Sequence, residues 1–396
     1  MYDIAIVGAG ASGLAAAITV KCTDKAKSVL LIEALPRVGK KILATGNGRC
    51  NLTNLNAKAE NYNNSFVGDI LSVYPPKKIL EFFDSIGLKC IFDSEGRAYP
   101  MSNTAASVLD CLRFEAENLG VETLCDTHVD SISKKNDSFL INNKIRAEKV
   151  ILATGGKASP SQGSDGSGYR LLKSLGHNVT PLYPALVQLT VKENVKSVKG
   201  VRVKARVKLL QNGRKVDMSV GEILFTDYGL SGIAVMDISR SVKNKNGACI
   251  LDILPTMSEN EIADFIYNCR KRNNEQSAEN ALCGLLPRKV GQYVLKLCSI
   301  HGDTPLKTLS KEKVELFTRN VKHLEFTVTG TNGFNNAQIT VGGAELREFN
   351  SKTLESKKVK NLFCTGELLD IDSICGGFNL QWAWASGITA GRNAAK

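Results

Sequence analysis

Tyr2 to Val7 is a short apolar run that stops at Gly8, and its length and abrupt end predict a buried strand. Leu14 to Val20 is Ala-rich and predicts the start of a helix; Val29 to Ile32 predicts a second buried strand. Further on, 77–89 and 104–119 carry apolar residues at helical spacing, and Cys90–Phe92 with Arg97–Pro100 predicts a small hairpin. From 121 to 155 the pattern turns strand-like, at Val121–Leu124, Val129–Ser133, Ser138–Asn142 and Lys149–Ala153. Val201 to Leu209 alternates apolar and polar residues throughout, which predicts a strand with one face exposed. Gln211-Asn212-Gly213-Arg214 is a hairpin signal, and Lys215 to Thr226 is the expected partner strand. The 258–325 stretch reads as helical, with N-terminal cap signals at Ser258 to Glu261 and Ser310 to Lys313. A strand is expected at Gln338–Val341. Asn361 to Cys364 is another, and a helix opening at Gly376–Leu380 reaches the C-terminus.

The last unit repeats the logic of the first: apolar strand, glycine, acid, glycines, helix start. The chain therefore reads as α/β, with a Rossmann-like domain built from both chain ends. Residues 1–185 and 336–396 form it, 186–255 are an inserted antiparallel β domain, barrel-like in character, and 256–335 a helical domain. A length of 396 residues suits two or three domains.

The start of the chain also carries chemistry. Gly8-Ala9-Gly10-Ala11-Ser12-Gly13 stands between the first strand and its helix, and Glu33 ends the second strand. Gly8 permits the tight turn, Gly10 lets backbone approach a pyrophosphate, and Gly13 lets helix and strand pack closely. The amides at the helix start hold phosphate, and the Glu33 carboxylate can accept both hydroxyls of an adenosine ribose. A lone glycine motif would be weak evidence; in this order and spacing it is strong. Lys149-Val150-Ile151-Leu152-Ala153-Thr154-Gly155-Gly156 is a buried strand running into small residues, either an ordinary exit or an end abutting a ligand. Leu35 to Asn51 is rich in Gly, Asn and basic residues and reads as a loop packed against something specific.

Composition changes this picture little. Hydrophobic content of 43% suits a globular core, and no apolar stretch is long enough for a membrane span. The first strand begins at the N-terminus, so no signal peptide is expected. The eleven cysteines show no CxxC pair or metal spacing, and Cys22, Cys90, Cys111, Cys249 and Cys298 sit in apolar runs. They read as reduced thiols in a cytoplasmic protein. His128, His177, His301 and His323 are dispersed, so no metal site or triad is expected. The net charge of +12 is spread over the chain, with modest clusters at Lys134-Lys135, Lys243 to Lys245 and Lys357-Lys358. A Lys-rich surface is the plainer reading, with no nucleic acid and no membrane as partner; the oligomeric state is not legible.

Four segments together resemble the BaiN-like flavoproteins, which include aminoacetone oxidase-like enzymes: DIAIVGAGASGLAAAI, IEALPRVGKKILATGNGRCNLTN, KVILATGGKASPSQGSDGSGYRLLKSLGH and FCTGELLDIDSICGGFNLQWAWASGITAG. The resemblance covers nearly the whole chain, and GKKILATGNGRCN is its most specific part. It implies bound FAD. Gly8, Gly10, Ala11, Ser12 and Gly13 would hold the pyrophosphate, Glu33 the adenosine ribose, and the Val129 backbone the adenine side. Gly46, Asn47, Arg49, Cys50 and Asn51 would lie against the flavin, as would Ala153, Thr154 and Gly155. Gly366 and Glu367 would take the ribityl position, and Asn379 and Leu380 would present helix amides to the ring. The chain departs from the family at Asp227-Tyr228 and at Cys375-Gly376-Gly377-Phe378, both expected to border the substrate.

The activity expected from this is FAD-dependent oxidoreduction of a small organic substrate. One form is an NADH- or NADPH-driven reductase of an activated C=C bond such as an enone, with hydride passing to the β-carbon. The alternative is an amine oxidase that yields hydrogen peroxide; a tRNA-modifying flavoprotein is a lesser one. Asp227 or Tyr228 could protonate the α-carbon, though capping and packing roles fit them better, so the catalytic residue stays unknown. Cys50 and Cys375 are candidate reactive thiols, with packing again the plainer reading.

Overall fold

A computed structural model describes residues 1–243 and 247–396; Lys245 of the Lys243–Lys245 cluster lies outside them. The chain forms two compact units, Met1–Pro184 with Ala337–Lys396, and Ala185–Asn336.

The first unit is built on a mixed sheet. Glu122–Leu124, Val29–Ile32, Tyr2–Val7 and Ile145–Leu152 run parallel in that order, and Leu362–Cys364 adds in parallel to the C-terminal half of Ile145–Leu152. The Ile132–Lys135 and Ser138–Ile141 hairpin lies antiparallel on the other half of that strand. Val129 thus precedes a strand that starts later than expected. Parallel strands are buried on both faces, which is why Ile4–Val7 and Val29–Ile32 carry no polar residue. Val7 pairs with Ile32 and Leu152, and Leu152 with Cys364, so four C-terminal strand ends reach one level at the sheet edge.

Two helices complete this core, Ala11–Thr23 and Phe378–Ala395. Small residues set their separation: a methyl added at Gly387 would stand 2.3 Å from Ser12 O, and one at Gly391 2.5 Å from Ala16 O. Trp382 and Trp384 are fully buried, and their indole N–H groups donate to Gly366 O and Leu52 O, each at 2.9 Å.

The second unit is a closed antiparallel barrel, in the order Leu189–Val191, Gly229–Ser231, Arg214–Phe225, Arg202–Gln211, Gly247–Asp252, Leu324–Thr331 and back to the first. Asn212 (φ 51°) and Gly213 (φ 73°) make the tight turn that joins the two longest strands. Helices Glu259–Arg272, Ala278–Leu282, Arg288–Leu297 and Lys311–Lys322 share one apolar core with the barrel. The helical part is therefore not a separate core, and the helical reading of 258–325 ends at Lys322. Leu324, Phe326 and Val328 face in while Glu325, Thr327 and Thr329 face out, so this stretch is the strand that closes the barrel. Its period of two was masked because it follows the last helix with no Gly or Pro between them.

A buried polar network ties 177–178 to 345–358 in the first unit. His177 Nδ1 lies 2.9 Å from Glu348 Oε2, its Nε2 lies 2.9 Å from Ser356 Oγ, and its ring stacks on Phe349. Ser356 Oγ already accepts the Lys358 and Val359 amides, so its proton points at Nε2, and the imidazole is neutral with its proton on Nδ1. Burial pushes His177 below its ordinary 6.5, against the pull of Glu348. Burial would raise Glu348, but Lys358, the Asn178 amide and His177 hold it down at about 2.

Two outcomes follow for stability. Gly387→Ala should cost about 2 kcal/mol or more through overpacking, seen as a drop of several degrees in Tm. Gly68→Ala, whose methyl would meet only Ala59 at 3.7 Å, should leave Tm within a degree or so. His177 takes up its proton more readily unfolded than folded, so its contribution is present above 6.5 and lost as pH falls from there toward its depressed value. Urea denaturation in pH steps should show stability falling below 6.5 before Glu348 begins to protonate, and His177→Gln should lack that portion of the slope.

Candidate active site

The glycine loop sits where the first strand meets its helix, and its three glycines answer to different neighbours. A methyl at Gly8 (φ 102°) would lie 2.5 Å from Ala153 O, and one at Gly13 1.9 Å from Gly8 O. Both glycines are required by the protein's own backbone. Gly10 would meet nothing within 4 Å, so its bare Cα leaves room for a ligand. The Ala11–Thr23 helix has no side-chain cap and no acid in its first turn, and its hydrogen-bond ladder begins with Leu14 N–H to Gly10 O. The amides before Leu14 and the positive helix end are what an anion binds.

Glu33 is buried at the end of the second strand, accepting the Ala9 amide on Oε2 (3.0 Å) and the Leu35 amide on Oε1 (2.9 Å). Each oxygen keeps a lone pair for a ribose hydroxyl. Beside it, Thr127 N–H donates to Glu33 O and Asp126 N–H to Leu35 O, so the segment leading to Val129 runs along the Glu33–Leu35 backbone. Val129 N–H and C=O bond to no described residue, so its backbone is available for an adenine edge.

The other strand ends close on the same place. Ala153 N–H donates to Val7 O (2.8 Å) and Thr365 N–H to Leu152 O (3.0 Å). Thr365 Oγ1 lies 3.1 Å from Ser12 Oγ, and the Gly366 amide donates to Ser386 Oγ. Glu367 is gripped from two sides, by the Thr340 amide on Oε1 (2.8 Å) and the Lys41 ammonium on Oε2 (3.1 Å). Gly156 backs onto it; a methyl there would stand 2.4 Å from both Glu367 Oε1 and Thr340 Oγ1. Lys41, Gly156 and Thr340 escaped sequence reasoning, although Lys41 stands in the GKKILATGNGRCN segment and its basic character was the available signal.

The Thr45–Cys50 turn is held in left-handed geometry at Gly46, Asn47, Gly48 and Cys50. Asn47 and Arg49 are exposed, and the Arg49 guanidinium lies 4.5 Å above the Tyr99 ring. Cys50 is fully buried, and burial pushes its thiol up to about 12. It is a packing group, not a reactive thiolate. Asn51 Oδ1 abuts Gly377 at the start of the last helix. That helix has no side-chain cap either, and its ladder begins at Gln381 N–H to Gly377 O, leaving the Phe378 to Leu380 amides forward. The Asn379 side chain turns back to brace Ser373 and Ile374.

The first unit thus gathers sequence-derived positions around the ends of four strands and two uncapped helix starts. FAD fits them. Asn51 Oδ1 and Thr154 Oγ1 are buried without a hydrogen-bond partner among the described residues, and Gly10 opens onto free space. Asp227 belongs to the second unit, ion-paired with Lys199 at 2.7 Å, and hydrogen bonds from Lys199 and its own backbone hold its carboxyl low. An acid kept ionised has no proton to give. Tyr228 is partly exposed at 38%.

A dinucleotide cradle at the switch of an α/β sheet, with a second uncapped helix and an inserted barrel, defines an FAD-dependent oxidoreductase. The chain belongs to the HI0933-like family, whose Rossmann-domain model matches residues 2–393. It is 40% identical to a 3-dehydro-bile acid delta(4,6)-reductase of Clostridium scindens, covering 100% of both chains. It is 29% identical to a ribosomal RNA dihydrouridine synthase of Escherichia coli, over 97% of this chain and 96% of that one. In fold it is similar to the 3-ketosteroid delta1-dehydrogenase of Sterolibacterium denitrificans, with a TM-score of 0.50 and 13% identity, over 100% of this chain and 99% of that one.

Replacing Glu33 tests the adenosine end of this cradle. Glu33→Ala should weaken FAD binding about tenfold or more, a loss near 1.4 kcal/mol, and Glu33→Gln should fall between. Titrating apoprotein with FAD and following flavin fluorescence gives Kd directly; an unchanged Kd would place the ribose elsewhere.

Proposed function

We propose that the protein reduces a C=C bond conjugated to a carbonyl, using NADH or NADPH as the source of electrons. The observation that carries this reading is the full-length relative at 40% identity, which is named as a reductase of a dehydro-bile acid. The relatives named dihydrouridine synthases agree in bond type, because the uracil double bond that such an enzyme reduces is also conjugated to a carbonyl. Hydride at the β-carbon is favoured in both because the carbonyl takes up the developing charge.

FAD, when held by these residues, would supply hydride chemistry, with the nicotinamide as its source of electrons. The protein's part is to hold and polarise. The amides at the start of Phe378–Ala395, with no acid in its first turn, favour negative charge in front of them. Lys41 fixes Glu367 in one orientation, and the Asn379 side chain fixes the loop that leads into the helix. No second glycine-rich nucleotide motif is seen in the sequence, so the nicotinamide would bind only transiently. A cytoplasmic setting suits cysteines that serve as core residues, as Cys50, Cys249, Cys298 and Cys364 do.

Anaerobic titration with NADPH, then NADH, should bleach the flavin, and addition of an enone should restore its colour. A flavin that stays oxidised with both nucleotides, yet turns over amines with release of hydrogen peroxide, would overturn the reductase reading in favour of an oxidase.

A further inference from the structure

The second unit carries 23 Lys and Arg against 15 Asp and Glu. Within it, the 24 residues from Lys192 to Lys215 hold nine basic side chains and a single acid, Glu193. This short stretch accounts for the whole excess. Its centre is the long barrel strand Arg202–Gln211, where Val203, Ala205, Val207 and Leu209 point into the core. The alternate positions, Arg202, Lys204, Arg206 and Lys208, therefore share the outer face, about 6.8 Å apart along the strand. Arg202 pairs with Glu222 and Arg206 with Asp252, which fixes those two guanidiniums. Lys192, Lys196, Lys204, Lys208, Arg214 and Lys215 make no ion pair with any described residue. Of these, Lys204, Lys208, Arg214 and Lys215 lie on the two paired strands Arg202–Gln211 and Arg214–Phe225, so much of the excess charge is carried by one hairpin of the barrel.

We propose that this outer barrel face binds the phosphate backbone of RNA. A fixed row of evenly spaced cations suits a polymer of evenly spaced phosphates, and contacts of this kind position a chain without reading its bases. A free steroid-sized substrate gives no reason for such a row, whereas a uracil within RNA does. The inference rests on the reading above in that uracil contains the same kind of conjugated double bond. Val216, Met218 and Val220 are exposed on the neighbouring strand, so an anionic membrane surface is the competitor the test must separate.

The test uses the FAD-loaded protein and a fluorescein-labelled RNA stem-loop with uridines in its loop, with binding read as anisotropy. Wild type should bind with an affinity that falls steeply between about 50 and 200 mM salt. The combined Lys204→Glu, Lys208→Glu, Arg214→Glu and Lys215→Glu variant should bind about tenfold or more weakly, with a shallower salt slope. Arginine at the same lysines should preserve binding. Flavin absorbance, Tm and enone reduction are read on every variant, so a misfolded protein is recognised and failure of the reductase reading registers separately from RNA binding. Equal affinity of wild type and the Glu variant overturns the proposal. So does competition by phosphatidylglycerol vesicles that matches competition by unlabelled RNA.

Discussion

The whole site depends on backbone meeting backbone where the first strand gives way to its helix. Gly13 lies against Gly8 O, and Gly8 lies against Ala153 O, closer than any side chain would allow. These contacts fix how far the helix stands from the sheet and aim its first amides past Gly10. The last helix joins through the same device, since Gly387 and Gly391 rest on the carbonyls of Ser12 and Ala16. The first two turns of the first helix are thereby locked to the later half of the last, and neither helix spends its free amides on a side-chain cap. Leaving such donors uncapped costs stability unless something occupies them, so both helix starts are suited to an anion.

Around that frame, charge is used mostly for positioning. Glu33 spends two lone pairs on the Ala9 and Leu35 amides before any ligand arrives, so its carboxylate holds the loop it serves. Lys41 and the Thr340 amide do the same for Glu367. Each group is preorganised by protein, and little ordering remains for binding to supply. The His177–Glu348–Ser356 cluster has the connectivity of a hydrolytic triad but none of its access. His177 is 3% exposed, and Ser356 Oγ is occupied by two backbone amides. Geometry alone would mislead there; burial decides that the cluster is structural.

Much of this was legible in the chain. The motif from Tyr2 to Glu33 announces strand, turn, helix, strand and acid because each needs a distinct residue type at a set distance. The hairpin at Asn212-Gly213 is equally local, as is the Ser258–Glu261 capping box, and both form as read. What escaped was non-local. Nothing near Lys41 reveals that its partner is Glu367, or that Gly156 must be bare to accept that carboxylate. Leu324–Thr331 was hidden by the helix running into it, and only its pairing with Gly247–Asp252 and Leu189–Val191 makes it the closing strand.

The alternation from Val201 to Leu209 was plain in the sequence, but its outward positions were read only as polar. A barrel needs its inner positions apolar and constrains the outer ones hardly at all beyond solubility. Threonine, glutamate or a mixture of signs would close the same barrel, and mixed charge would avoid repulsion between neighbours on one face. Four like charges in a row on one strand work against folding unless neighbours relieve them. Arg202 and Arg206 gain such relief as ion pairs with Glu222 and Asp252, and Lys204 stands opposite Glu222 in the register. Lys208, opposite Met218 and Ile250, keeps its charge toward solvent at a small cost that the fold does not require. A residue choice that packing leaves free, and that stability mildly opposes, points to an anion outside the chain.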